Sequence, residues 1–184
     1  FGCKPIYYGI ANDSAETILR TIKKAKDENE LLLVTGGVSA GDLDLVPSLL
    51  EKAGYQIVFH GVGIQPGRPT LFGKSGTTYV FGIPGNPVAA FIVFEILVKE
   101  LLAGMLDLVG YAKTVQCPLA VDVKRQKMHR LGWRPVKIID GNAHPLEYHG
   151  TAHITSYVTA DGIMPIPIGI SEVKEGTIVE VRLI

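Results

Sequence analysis

Two aspartates, Asp42 and Asp44, follow a glycine-rich stretch and together have the chemistry of a metal site. The stretch, GGVSAGD, begins at Gly36 and comes directly after the apolar run LLLVT. Glycines let backbone N–H groups approach an anion closely, and Ser39 adds a hydroxyl. Mg²⁺ needs only one or two carboxylates beside the oxygens of a phosphate. The pattern predicts a phosphate cradle with magnesium at the two aspartates; the alternative is a plain turn in which Asp44 only caps a helix.

Two further loops carry anion-binding chemistry. QPGRP, residues 65–69, is stiffened by two prolines and presents the guanidinium of Arg68. PGNP, residues 84–87, leads into a helix, whose N-terminus favours negative charge. Because ligands of α/β sheets bind where the strands end, we expect the three loops to converge on one site. Besides Arg68, the candidate ligand-binding residues are Gly36, Gly37, Ser39, Gly41, Gln65, Gly67, Pro84, Gly85, Asn86 and Pro87.

Other chemistry has less support in the sequence. The spacing of His144, His149 and His153 matches no zinc pattern and lacks cysteine or carboxylate support. Cys3 and Cys117 also lack metal-type spacing and indicate a reducing, cytoplasmic compartment. The formal net charge is zero, which gives no indication of nucleic acid or a membrane surface as partner. The remaining expectation is a small-molecule ligand.

The composition predicts an ordinary globular protein. Of the 184 residues, 47% are hydrophobic and 20% are charged. No apolar run approaches the roughly 20 residues of a membrane-spanning helix. The chain opens with FGCKP, which has neither a secretory signal nor an initiator methionine, and we therefore treat it as a fragment.

Strands and helices are predicted to alternate in the first half of the chain. A short strand in IYYGI precedes an amphipathic helix, for which Asp13 and Glu16 form a capping box. The run LLLVT, residues 31–35, predicts a strand covered on both faces. Asp44 can cap the next helix, which ends at Gly54.

Strands then continue up to a long helix. YQIVFHGVGI predicts a strand, and TLFGKSGTTYVFGI predicts a β-hairpin that turns at Lys74 to Gly76. NPVAAFIVFEILVKELLAGM predicts a helix with Asn86 as N-cap and Pro87 at its first position.

After about Gly110 the pattern becomes all-β. Strand-like segments follow one another without a convincing helix: VQCPLAVDV, WRPVKIID, AHITSYV, GIMPIPI and GTIVEVRLI. Such a change implies two domains. We predict an α/β domain over residues 1–109 and a small β-barrel or sandwich over residues 110–184.

Three ordered motifs, TGGVSAGDLD, IQPGRPTLFG and VFGIPGNPVAAFIVFE, resemble the molybdopterin-binding domain of the MoeA and gephyrin E-domain family. Residues 150–184 resemble that family's C-terminal β-domain. The resemblance implies a three-layer α/β domain with a mixed sheet, similar to MogA but lacking its first strand, followed by a β-barrel. It implies insertion of molybdate into adenylylated molybdopterin with Mg²⁺ and release of AMP. The intact family member is expected to be a homodimer.

Carried over by position, Asp44 matches the family's important acid and Asp42 a neighbouring acidic position. With Arg68 they are the catalytic candidates that the resemblance implies. Two positions depart from the pattern, because Gly61 and Gln65 stand where the family usually has cations. Loss of two cations weakens oxyanion binding, and we expect the 184-residue chain to be inactive on its own.

Two other functions remain open at this point. A MogA-type molybdopterin adenylyltransferase shares the α/β fold, but the Ser-Ala-Gly-Asp loop and the appended β-domain disfavour it. A diverged or truncated module that binds molybdopterin without turnover is favoured by Gly61 and Gln65. Molybdenum insertion by the intact protein would separate these alternatives.

Overall fold

The computed structural model describes residues 2–12, 14–38, 45–146 and 154–184. The chain divides into two compact units. The first unit comprises Phe1–Val62 and Gly67–Gly85, and the second comprises Gly63–Pro66 and Asn86–Ile184. Within the described ranges, no helix has the length and apolar character needed to cross a membrane.

The first unit is built on a four-stranded mixed sheet. Its strands lie in the order β1-β5-β4-β2, with β1 and β5 parallel and the other neighbours antiparallel. Their bounds are Leu31–Thr35 for β1, Gln56–His60 for β2, Leu71–Ser75 for β4 and Thr78–Ile83 for β5. The predicted hairpin is confirmed, but Lys74 pairs with Tyr79 within it, and the turn lies between Ser75 and Thr78.

Two helices, α1 (Ala15–Glu28) and α2 (Val46–Lys52), bury their apolar positions in one core with residues of the sheet. The helical spacing of the apolar residues explains this packing, since residues three and four apart share a face. Helix α2 is followed by Gly54 at a φ of 86°, a conformation that glycine adopts without a steric penalty. The core residues are Ile22, Val38, Val46, Leu49, Leu50, Ala53, Tyr55, Leu71 and Val80.

The predicted strand in IYYGI is wrong. Residues 2–12 have no regular secondary structure, and Tyr7 and Ile10 are exposed. An apolar segment becomes a strand only where a neighbouring backbone pairs with it, and no described residue pairs with this one. Asp13 lies outside the described residues. Ser14 occupies the N-cap position of α1, without a capping hydrogen bond from its side chain.

Coverage of β1 on both faces is also wrong. Leu33 and Thr35 are exposed, and the other three residues are half-buried. In the described sheet β1 is an edge strand with β5 as its only neighbour, so its burial is incomplete. The residue at the N-cap of α2 is Leu45, and Asp44, the predicted cap, lies outside the described residues.

The second unit contains a larger sheet with the order β3-β8-β10-β12-β6, and β9 pairs with β8. All of its neighbours are antiparallel except β3 and β8. A separate pair joins β7 to β11. The bounds are Ile64–Gln65 for β3, Thr114–Pro118 for β6, Val123–Lys124 for β7, Leu131–Ile139 for β8, Asn142–Pro145 for β9, Gly162–Ile166 for β10, Glu172–Val173 for β11 and Ile178–Leu183 for β12.

The long predicted helix of this unit is confirmed. It runs through α3 (Pro87–Val93), a π-helical turn (Phe94–Val98) and α4 (Lys99–Met105). The segment AHITSYV, by contrast, contains a short helix, α5 (Thr155–Val158), where a strand was predicted. Tyr157 of α5 is buried against Val88 and Ile92 of the long helix. This tertiary contact explains why the β-branched composition did not decide the local structure.

The mixed α/β fold class predicted from the sequence is confirmed by these sheets and helices.

Candidate functional site

Two of the three predicted loops meet where the parallel strands β1 and β5 end. Thr35 and Ile83, their last residues, are paired, and the Gly36 N–H donates to the Ile83 carbonyl over 3.0 Å. A Cβ placed on Gly85 would lie 3.4 Å from the Cα of Gly36. The predicted proximity of the two glycine loops is therefore confirmed. We call this end of the first unit's sheet the carboxyl edge.

The third loop reaches the same edge through antiparallel pairing. His60, the last residue of β2, pairs with Leu71, the first residue of β4, and Leu71 pairs with Gly82 near the end of β5. Residues 67–70 directly precede Leu71 and so lie at the carboxyl edge. The strand register therefore places the first unit's parts of all three loops at the carboxyl edge.

Thr70 holds the third loop in place. Its buried hydroxyl donates to the Gly67 carbonyl over 2.6 Å, and its own carbonyl accepts from the Gly61 N–H at 2.8 Å. The Val62 N–H donates to the Arg68 carbonyl at 2.9 Å. The Arg68 side chain is exposed and has no ion pair within the described part of the chain. Its charge is thus available to a ligand.

Val38 anchors the first loop. It is 1% exposed, and a Cβ on Gly82 would lie 2.8 Å from its Cγ1 atom, so Gly82 leaves the space that Val38 fills. The His60 side chain lies with Nε2 2.8 Å from the Val38 carbonyl; since a carbonyl only accepts, Nε2–H is the donor. Sequence reasoning missed both anchors. His60 lies inside the predicted strand YQIVFHGVGI, and no residue type or spacing there indicates its contact with Val38.

The backbone N–H groups of this edge are only partly free. The Gly36 N–H bonds within the sheet, so its predicted role as a free anion donor is wrong. The Gly37 and Gly85 N–H groups have no acceptor among the residues described here, and both residues are exposed. Two N–H donors and one guanidinium at one sheet edge can bind an oxyanion.

Gly37 and Val46, on either side of residues 39–44, lie close together. Gly37 has a φ of 64°, and a Cβ there would lie 2.9 Å from the Cγ2 atom of Val46. Four predicted site residues between these two positions lie outside the described residues: Ser39, Gly41, Asp42 and Asp44.

Three further predicted site residues belong to the second unit: Gln65, Asn86 and Pro87. Gln65 pairs with Gly132 between β3 and β8, and Asn86 caps α3 by accepting from the Ala89 N–H over 3.0 Å. Pro87 is the first residue of α3. Among the described residues no group of three His, Cys, Asp or Glu side chains could hold a metal. His149 and His153 are outside those residues, and His144 lies in β9.

Replacing Asn86 by aspartate separates its capping role from a ligand role. Aspartate keeps the acceptor for the Ala89 N–H, so we expect the free energy of unfolding to change by less than about 0.5 kcal/mol, since both residues cap equally well. The added negative charge beside Gly85 should weaken oxyanion binding. Urea unfolding and the binding of inorganic phosphate measure the two effects, with Asn86→Ala as the variant that loses the cap. Unchanged binding in Asn86→Asp would leave Asn86 as a cap only.

Comparisons with protein families give two matches along the chain. Residues 1–104 match the family described as a probable molybdopterin binding domain. Residues 116–184 match the family described as the MoeA C-terminal region, domain IV.

Named relatives agree with these matches. A putative molybdopterin biosynthesis protein of Methanocaldococcus jannaschii is 30% identical over 96% of this chain and 42% of its own length. A molybdopterin molybdenumtransferase of Bacillus subtilis is 29% identical over 100% of this chain and 44% of its own length. The chain thus spans less than half the length of these relatives.

Solved structures resemble the fold over nearly the whole chain. A molybdenum cofactor biosynthesis protein from Pyrococcus furiosus superposes with a TM-score of 0.80 at 30% identity, covering 98% of this chain and 59% of that one. The MoeA protein from Pyrococcus horikoshii gives a TM-score of 0.79 at 32% identity, covering 95% and 42%.

Proposed function

This chain belongs to the family of probable molybdopterin-binding domains, and we propose that the complete protein inserts molybdenum into molybdopterin. The substrates are molybdate and adenylylated molybdopterin, and AMP leaves. A molybdopterin molybdenumtransferase among its relatives carries the corresponding name. The proposal concerns the complete protein because the chain spans under half of the relatives' length.

The meeting of Gly36 and Gly85 carries this proposal most directly. Their backbones come so close that a Cβ on Gly85 would touch the Cα of Gly36 at van der Waals distance. The neighbouring Gly37 and Gly85 N–H groups remain available at this exposed edge. Both substrates are oxyanions, and backbone N–H groups bind such ligands without the desolvation cost of a second charged side chain.

We assign the side-chain roles from the residues available. Arg68, exposed at the same edge, would pair with a phosphate or molybdate oxygen and orient it. Asp42 and Asp44 would supply the two carboxylate ligands that suit Mg²⁺. A Mg²⁺ ion held there would offset negative charge on the phosphate. The role of the chain's own residues is to bind and orient the two substrates.

Two observations bear on the alternatives. The match of residues 116–184 to the MoeA C-terminal region disfavours a stand-alone adenylyltransferase of the MogA type. Gly61 and Gln65, which replace expected cations, favour a module that binds without turnover. The same proposal puts the division between domains near residue 110, and it is supported by family matches that end at 104 and begin at 116. It also puts the complete protein in the cytoplasm as a homodimer.

The deciding experiment uses the complete protein. Purified protein is incubated with adenylylated molybdopterin, molybdate and Mg²⁺, and the product is assayed by reconstitution of a molybdenum enzyme. We expect reconstitution that depends on molybdate, with stoichiometric release of AMP. A second incubation with ATP and unmodified molybdopterin tests for adenylylation. Pterin binding without either reaction would support the non-catalytic module and refute the proposed function.

A further inference from the structure

The second unit contains a basic cavity that shares only Gln65 with the predicted site residues. The cavity has a volume of about 310 Å³. Four of its lining residues are cationic and none is acidic. The lining residues that bear on a ligand are Gln65, Lys124, Arg125, Lys127, Trp133 and Arg134.

Arg125 is a fixed charge in this cavity. Its guanidinium donates to three backbone carbonyls, those of Ile170 at 2.8 Å, Arg130 at 2.8 Å and Pro167 at 2.5 Å. A Cβ on Gly132 would lie 2.7 Å from its Nη1 atom, so the glycine leaves space for the guanidinium. These carbonyl oxygens accept from three of the five N–H groups and do not cancel the charge.

The cations around Arg125 have little acidic compensation. Burial lowers the pKa of Arg125, and the positive charge of Arg134 lowers it further. Lys124 lies 3.3 Å from Glu172, a carboxylate that Lys174 shares. Lys127 has no ion pair with any residue of the described part of the chain. The cavity therefore keeps an excess of positive charge.

We propose that this cavity binds a tetrahedral oxyanion, with Arg125 as a preorganised cation and Lys127 and Gln65 as further donors. A guanidinium already fixed by carbonyls loses little conformational entropy when an anion binds. The cavity's cationic residues place positive charge near Gln65, whose own side chain is uncharged. The inference deepens the proposed function and depends on it only for the source of the oxyanion, which is molybdate or the phosphate of a nucleotide.

The only tryptophan of the chain, Trp133, lines the cavity and reports its occupancy. Its fluorescence is followed while the 184-residue chain is titrated with inorganic phosphate, molybdate or AMP, with sodium chloride as the ionic-strength control. We expect a saturable change with phosphate or molybdate and none with chloride. Tighter binding of molybdate than of phosphate identifies the inorganic substrate as the source, and tighter binding of AMP identifies the nucleotide.

Charge reversal at a lining residue tests whether the anion binds in this cavity. Lys127→Glu should raise the apparent Kd at least tenfold, because it places a carboxylate beside the anion. Lys113→Glu, an exposed lysine outside the cavity with the same change in net charge, should alter it less than twofold. Equal losses in both variants, or no saturable change with any probe, would overturn the cavity assignment. Binding without molybdenum insertion by the complete protein would refute the proposed function alone.

Discussion

Replacing Asp44 by alanine in the complete protein is expected to lower the rate of molybdenum insertion by about 100-fold or more, the usual cost of losing one electrostatic stabiliser of a transition state. The proposed reason is that Asp44 is one of only two carboxylates offered to Mg²⁺ by the segment 39–44. The flanking residues Val38 and Val46 are buried, so the fold should survive the change. Insertion rate at saturating molybdate, measured against Mg²⁺ concentration, gives the result.

The matched control is Asp27→Ala, which removes an exposed carboxylate of α1 from the same unit. It should leave both the insertion rate and its Mg²⁺ dependence unchanged. If Asp44→Ala unfolds in urea at the wild-type midpoint and inserts molybdenum at the wild-type rate, Asp44 has no role in holding the metal. A cap contributes only about 1 kcal/mol, so a loss of stability alone cannot account for a 100-fold effect.

The sequence was sufficient for the parts of the site that depend on strand order and local signals. Gly36 and Gly85 each follow an apolar strand, and neighbouring parallel strands bring their following loops together. The start of the long helix was likewise local, because Asn86 and Pro87 have side chains suited to a cap and a first position.

Features that depend on distant contacts were not predictable in the same way. The guanidinium of Arg125 is held by the carbonyl of Ile170, 45 residues away. The hydrogen bond between His60 and Val38 spans 22 residues. Neither pair has a sequence signature, because the fold alone brings the partners together. The prediction of a strand at IYYGI was wrong because an apolar segment forms a β-strand only when a neighbouring strand pairs with it.

Gly82→Ala is expected to damage the site through packing. The new methyl group would lie 2.8 Å from Cγ1 of Val38 and 3.2 Å from Cβ of Leu71, and both residues are buried. Overpacking of this kind costs about 1–3 kcal/mol of the free energy of unfolding. Because Val38 is the side chain nearest the new methyl, it should move and carry the adjoining glycine loop with it. A displacement near 1 Å at a catalytic loop can reduce the rate by about 100-fold.

Two measurements separate the packing effect from the catalytic effect. Urea unfolding gives the loss of stability. Insertion is assayed without urea, at a temperature where the variant remains folded. Gly63→Ala is the matched control, because no atom lies within 4 Å of the added Cβ and its φ is not in the left-handed region. We expect that control to change neither quantity appreciably. If Gly82→Ala is destabilised yet inserts molybdenum at the wild-type rate, Val38 does not position the loop, and core packing does not control the geometry of the carboxyl edge.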